Sequence, residues 1–338
     1  MRLIFFFAFL ILFITSCSPE VVEPEVSGFI GGKQGLQAHV LEGAPPTVVT
    51  DMDSFPFSIV MMLDNVGESS VGPGTQSPLA LVRLTGILPE LWNLPGNLQV
   101  RRVQHRLEST KKNFDGTRLP GEQAMVEFKD LSYMSRVTGS ELFTLQAEVC
   151  YDYATHANLL LCLKDDLRDS MQDSSLCSIR SKIVPMNSGA PLQVVEADQA
   201  PVAGNKIQVN FVVQNVGRGM FFSRSDDSNA GACTFDSRNS EMYKALIVVP
   251  WSDPYYELDC RGLDNTKPGF ENVQIEARAQ YGVVRFPSDS PKSITCFLNQ
   301  VGGKSGRVYQ DLLNIDIYYR YGELVEIPLL VQETGYWE

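Results

Sequence analysis

The sequence predicts an all-β protein: two tandem antiparallel β-sandwiches behind a signal peptide and a short tether. Three observations predict it. Apolar residues alternate with polar ones in many short segments, helical periodicity is scarce, and the same alternating patterns occur twice, in the same order, along the chain. Successive side chains of a strand point to opposite faces, so such alternation marks a strand with one buried side.

The repeat is read from positions. Phe57, Ile59, Met61 and Leu63 lead into Asn65-Val66-Gly67, and Ile207, Val209, Phe211 and Val213 lead into Asn215-Val216-Gly217, an offset of 150 throughout. Leu145, Ala147, Val149, Tyr151 and Tyr153 recur as Leu313, Ile315, Ile317, Tyr319 and Tyr321 at an offset of 168. In the same register Leu159, Leu161 and Leu163 fall on Ile327, Leu329 and Val331. Each half is therefore expected to carry a hairpin-like pair of strands there. The Pro- and Gly-punctuated stretch 185–191 separates the halves, giving expected domains over 36–186 and 191–334.

At the N-terminus, Met1 and Arg2 precede twelve apolar residues, Leu3 to Ile14, and then Thr15, Ser16 and Cys17. At about 1.5 Å per residue this run spans roughly 18 Å, short of the roughly 30 Å hydrocarbon core. Residues 1–16 read as a signal peptide. Ile14-Thr15-Ser16-Cys17 resembles the lipobox of prokaryotic lipoproteins, which implies lipid on Cys17 and a place in the cell envelope. Two acyl chains would give stable attachment. Residues 17–35, rich in Pro, Glu, Val and Gly, read as the lipidated cysteine and its tether.

Further strands are expected over Leu36–Leu41, Leu79–Leu84, Leu98–Leu107, Met125–Phe128, Leu192–Glu196, Ala245–Val249, Val273–Ala279 and Ser293–Phe297, with single helical turns at Pro89–Trp92 and Lys164–Met171. The alternating strand ending in Asn-Val-Gly resembles CARDB and related immunoglobulin-like modules of prokaryotic surface proteins. The tyrosine-rich strands, Cys150-Tyr-Asp-Tyr153 and Tyr318-Tyr-Arg-Tyr321, resemble those of archaeal surface lipoproteins built from such modules. The resemblance covers 36–332 and implies an immunoglobulin-like fold and a surface role in adhesion or assembly. It supplies no catalytic residues. Insertions at 68–76 and 105–121 depart from the compact pattern.

Without the signal peptide the chain has 27 basic and 40 acidic residues, a formal charge of −13. That balance argues against nucleic acid and makes the lipid the expected link to the membrane. Six cysteines follow Cys17: Cys150, Cys162, Cys177, Cys233, Cys260 and Cys296. An even number in an exported chain points to disulfides, with fifteen connectivities open. A hairpin turning near His156 would set Cys150 opposite Cys162 and join them; the alternative is Cys162 with Cys177 across the next loop.

Catalytic patterns are sparse. His39, His105 and His156 lie in separate segments without metal-ligand spacing, and no Gly-x-Ser-x-Gly elbow occurs. Gly302-Gly-Lys-Ser305 imitates the end of a P-loop, but Leu298 stands where that motif needs glycine, so no nucleotide is expected. Asp226, Asp227 and Asn229 offer oxygen ligands for calcium, yet Ser237 replaces the glutamate that closes such a loop, and a solvated turn is preferred. Asp51 and Asp53 flank a strand start. Tyr151, Tyr153, Tyr319 and Tyr321 could stack on sugars, but their parity groups them with core residues. The expected function is binding, adhesion or assembly at the cell surface through a protein or envelope component, with no cofactor, no resident metal and no catalysis. The alternative is a solute- or glycan-binding lipoprotein.

Overall fold

The computed structural model describes residues 28–96, 99–164, 177–202, 205–224, 233–235, 239–302 and 308–335. The expected signal peptide, Cys17, the expected tether up to residue 27, the Asp226/Asp227/Asn229 segment, most of the turn expected at 164–171 and the Gly303–Ser305 stretch lie outside them. The fold is all-β, built of antiparallel sheets packed as a sandwich. Among the described residues, the one helical element is a 3-10 turn at Pro89–Trp92, where it was expected.

In chain order the first half comprises β1 (Leu36–Val40), β2 (Val48–Thr50), β3 (Phe57–Asn65), β4 (Ala80–Thr85), β5 (Val100–Arg102), β6 (Lys111–Lys112), β7 (Arg118–Leu119), β8 (Gln123–Leu131), β9 (Ser140–Lys164), β10 (Ser181–Ile183) and β11 (Met186–Asn187). The second comprises β12 (Leu192–Val202), β13 (Lys206–Asn215), β14 (Met220–Phe222), β15 (Lys244–Val249), β16 (Tyr256–Cys260), β17 (Gln280–Arg285), β18 (Lys292–Gln300) and β19 (Val308–Gln332).

β9 and β19 are each 25 residues long and pair antiparallel from end to end, Lys164 against Val308 and Ser140 against Gln332. They form the middle of a nine-stranded sheet, β17-β15-β19-β9-β4-β5, to which β2, β11 and β14 add. A three-stranded sheet, β1-β3-β8, and a five-stranded sheet, β10-β12-β13-β18-β16, supply the opposing layer. The odd-numbered residues of β9 and β19 share one core with the inward residues of both smaller sheets, so both lie on the same face of the large one. Even-numbered residues face the other way, where Phe222, Cys233, Met242, Phe270 and Val273 from second-half segments cover the middle of the strands at Cys150, Ala154 and Tyr318, while Leu142, Leu160, Leu312 and Leu324 towards the strand ends stay exposed.

The expected hairpin at His156 is not formed, and the Cys150–Cys162 disulfide fails with it. Ala154 to Asn158 lacks the Gly or Pro that would turn the chain, and Thr155 Oγ1 instead donates to Leu192 O at 2.6 Å while the backbone continues its ladder with β19. Cys150 and Cys162 therefore sit twelve residues apart on one strand, about 40 Å at a strand's rise. Cys150 bonds Cys233, Cys162 bonds Cys177, and Cys260 bonds the directly opposed Cys296. The strand expected over Val273–Ala279 is also absent. Val273 N bonds Phe270 O and Ala279 N bonds Glu276 O, so the segment closes local turns and caps the outer face of the large sheet. Of 98–107, only Val100–Arg102 is strand.

The matched positions behave alike. Phe57, Ile59, Met61 and Leu63 are buried, as are Ile207, Val209, Phe211 and Val213, while Ser58, Gln208, Asn210 and Gln214 occupy the opposite face, partly exposed. Tyr151 pairs with Tyr321 and Tyr153 with Tyr319, so the copies meet about a local two-fold at Asp152 and Arg320. All four tyrosines are buried.

The Asn-Val-Gly motif now has a physical meaning. Tyr153 Oη donates to Asn65 Oδ1 (3.2 Å) and accepts from Ser69 N (3.2 Å). Tyr321 Oη donates to Asn215 Oδ1 (3.2 Å) and accepts from Gly219 N (2.8 Å). Each asparagine amide donates to the carbonyl four residues on, Asn65 to Ser69 and Asn215 to Gly219. Glycine ends the motif because a Cβ at Gly67 or Gly217 would collide with the tyrosine hydroxyl.

Candidate functional site

A cleft opens at the free edge of the second half. β16 is the outermost strand of the five-stranded sheet and β17 that of the nine-stranded sheet. Between them lies a cleft of about 740 Å³ whose lining includes Trp251, Asp253, Tyr256, Asn265, Arg278 and Gln280. That volume lies in the range of small-molecule sites.

Its floor is fixed by its own hydrogen bonds. Trp251 Nε1 donates to Tyr256 O (2.9 Å), and Tyr256 Oη donates to Lys164 O (2.7 Å), which ties the cleft to the end of β9. Asp253 precedes Pro254 in a side-chain-closed turn of the kind Asp favours. One carboxylate oxygen accepts from Tyr255 N (2.6 Å) and the other from Tyr309 Oη (2.7 Å). Both oxygens are thereby engaged in holding the loop. At the rim, Arg278 is exposed and Gln280 partly so, and neither side chain has a hydrogen-bond partner among the described residues. A rigid aromatic floor with polar groups at its mouth suits a small, hydroxyl-bearing ligand held by hydrogen bonds and apolar contact.

A second polar cluster is fully enclosed. Arg320 Nε donates to Asp152 Oδ1 at 2.9 Å, and Arg224 Nε lies 3.8 Å from the same oxygen. Arg224 also donates to Tyr319 O (3.1 Å), Ser77 Oγ (3.0 Å), Tyr153 O (2.5 Å) and Gln76 O, and its guanidinium lies over the Phe270 and Tyr318 rings. Burial lowers its pKa, and the Asp152 carboxylate opposes that shift. These contacts join β9, β19 and two loops at the local two-fold, a structural role.

The residues singled out in the sequence are not brought together. His156 Nδ1 meets Asp316 Oδ1 at 2.6 Å across the central ladder, and His39 Nδ1 lies 3.4 Å from Asp64. These are isolated surface pairs, and the described residues contain no group of three or more His, Cys, Asp or Glu able to hold a metal. Asp51 is buried and accepts from Val137 N, Thr334 N and Thr334 Oγ1, which lowers its pKa, the Thr334 backbone bond being the largest cause. It clamps the end of the chain, whereas Asp53 sits exposed in a turn. Sequence reasoning missed Trp251, Asp253 and Gln280; the available signal was the aromatic run Trp251-Ser-Asp-Pro-Tyr-Tyr256.

No protein-family model matches the chain, and no curated protein matches it.

Proposed function

We propose that this is a lipid-anchored protein of the cell envelope that acts by binding, adhesion or structural assembly, without catalysis. Cysteine bookkeeping carries the reading. Of seven cysteines, six are consumed by three disulfides, and the seventh, Cys17, stands at the end of the apolar run. Disulfides persist in oxidising compartments outside the cytosol, and an odd cysteine at a lipobox position has an acyl chain as its natural partner. The likeness to CARDB-type surface modules supports the same reading. Replacing Cys17 with Ser and fractionating cells tests it: the substituted protein is expected to leave the membrane fraction, and retention at the wild-type level would refute the anchor.

The cleft between β16 and β17 favours a second reading, a solute- or glycan-binding lipoprotein, because it combines an aromatic floor with polar groups at its mouth. Calorimetric titration with maltohexaose, cellohexaose and chitohexaose, repeated on Gln280→Ala, tests that reading. Heats that vanish in the variant support it, and no binding to any of the three refutes it.

A further inference from the structure

The acidity of the chain is not uniform. The insertion at 105–121 contains a two-stranded hairpin, β6 and β7, with Lys111 and Lys112 on one strand and Arg118 and Leu119 on the other. Its turn is closed by Asn113 N to Thr117 O (2.9 Å), Gly116 N to Asn113 O (3.0 Å) and Thr117 N to Asp115 Oδ1 (2.9 Å). Asn113, Asp115 and Gly116 are the residues such a turn requires. Phe114 is not, yet it occupies the tip with a relative exposure of 105%, and Leu119 below it is 44% exposed. Asp115 is the one acid within 111–119; at the base Lys111 also meets Glu108 at 3.1 Å. An aromatic ring placed fully in water above three cations is suited to an apolar medium with an anionic surface.

The hairpin's position fits the same partner. Thr110 N, just before β6, bonds Gly67 O at 2.9 Å, and Gly67 N bonds Gly35 O at 3.1 Å. The neighbouring Glu68 carboxylate accepts from Ile30 N and Gly31 N at 2.9 Å each. The base of the finger and residues 30–35 therefore share one corner of the fold. Cys17 precedes Gly28 by eleven residues, a reach of at most about 40 Å when extended.

We propose that the hairpin Lys111–Leu119 is a second membrane contact, with Phe114 entering the interface of an anionic bilayer and Lys111, Lys112 and Arg118 lying against its headgroups. The proposal rests on the lipid-anchored reading for the presence of a bilayer at this corner. Its test does not use that lipid. The chain from Ser18 onward, which retains every described residue but neither the apolar run nor Cys17, is sedimented with vesicles of phosphatidylglycerol and phosphatidylcholine in equal parts, and with phosphatidylcholine alone.

Binding to the anionic vesicles is expected, with a fall of roughly a hundredfold on combining Lys111→Glu, Lys112→Glu and Arg118→Glu, and a comparable loss in Phe114→Asp. The F114W chain is expected to show a blue shift in fluorescence with the anionic vesicles that the unsubstituted chain lacks. The two Phe114 variants alter a fully exposed side chain and should keep the wild-type unfolding midpoint; the charge reversal also removes the exposed Lys111–Glu108 pair, so its near-ultraviolet circular dichroism is checked against wild type. No binding to anionic vesicles, binding insensitive to these substitutions, or a Phe114-dependent protein partner in place of vesicle binding would overturn the proposal. Vesicle binding that persists while Cys17→Ser leaves cell fractionation unchanged would instead overturn the anchor alone.

Discussion

Three tyrosine-to-phenylalanine substitutions discriminate between bonded and unbonded hydroxyls in the same buried row. Tyr153→Phe removes the acceptor for Ser69 N and the donor to Asn65 Oδ1, and neither group has another hydrogen-bond partner among the described residues. Each orphaned buried polar group costs about 1–3 kcal/mol, so with two of them a loss of about 2–6 kcal/mol is expected. Tyr321→Phe strands Gly219 N, but Asn215 Oδ1 keeps its bond from Gly217 N, so the expected loss is smaller, about 1–3 kcal/mol. Tyr151→Phe is the control. Its hydroxyl is buried with no hydrogen-bond partner among the described residues, and deleting it should be neutral within about 0.5 kcal/mol or slightly stabilising. Urea unfolding reads all three as shifts in midpoint at constant slope. Equal losses at 151 and 153, or no loss at either 153 or 321, would refute the argument that these hydroxyls lock the Asn-Val-Gly motifs.

Phe211→Ala should cost about 3–5 kcal/mol, because the ring is fully buried, whereas Gln208→Ala on the opposite face should stay within about 0.5 kcal/mol; equal effects in urea melts would refute the strand's facing. Because hydrogen bonds hold the Asp51 carboxyl below its ordinary pKa, its contribution is complete above about pH 4 and is lost as pH falls through the lower folded value. Wild type should therefore lose stability more steeply below pH 4 than Asp51→Asn, and parallel acid titrations of the unfolding midpoint would count against this. Peptide mapping without reduction should recover the links 150–233, 162–177 and 260–296, and a 150–162 peptide would restore the hairpin.

Inward strand faces were legible because they depend only on local alternation: Phe57 to Leu63 and Ile207 to Val213 are buried as their pattern requires. The Asn-Val-Gly repeat was visible as a motif but not as a lock, since its partner hydroxyls lie 88 residues from Asn65 and 106 from Asn215. β9 and β19 exposed the limit most clearly. A strand of 25 residues and a hairpin of two shorter strands have the same alternation, and only the ladder between the halves decides which forms. The disulfide reading failed for that reason. The cleft was illegible because it depends on how β16 and β17, twenty residues apart in sequence, end two different sheets.

Comparison of the copies explains why the cleft belongs to the second half. β3 and β8 correspond to β13 and β18, and Ile59 opposite Phe128 corresponds to Val209 opposite Cys296. In the first copy the large Phe128 ring fills this inward position, and Arg101 from β5 lies over it at 5.5 Å. In the second copy the smaller Cys296 bonds Cys260 and holds an additional strand, β16, against β18. That strand carries the five-stranded sheet one step further than its counterpart, and its side chain Tyr256 reaches Lys164 while its backbone receives the Trp251 indole. A wall therefore stands opposite β17 in the second copy alone. The basic hairpin arises in the complementary way, from an insertion between β5 and β8 of the first copy. One plan repeated about Asp152 and Arg320 thus supplies a rigid double frame, and each copy adds to it a different surface: the first a finger beside the N-terminal segment, the second a cleft at the far edge.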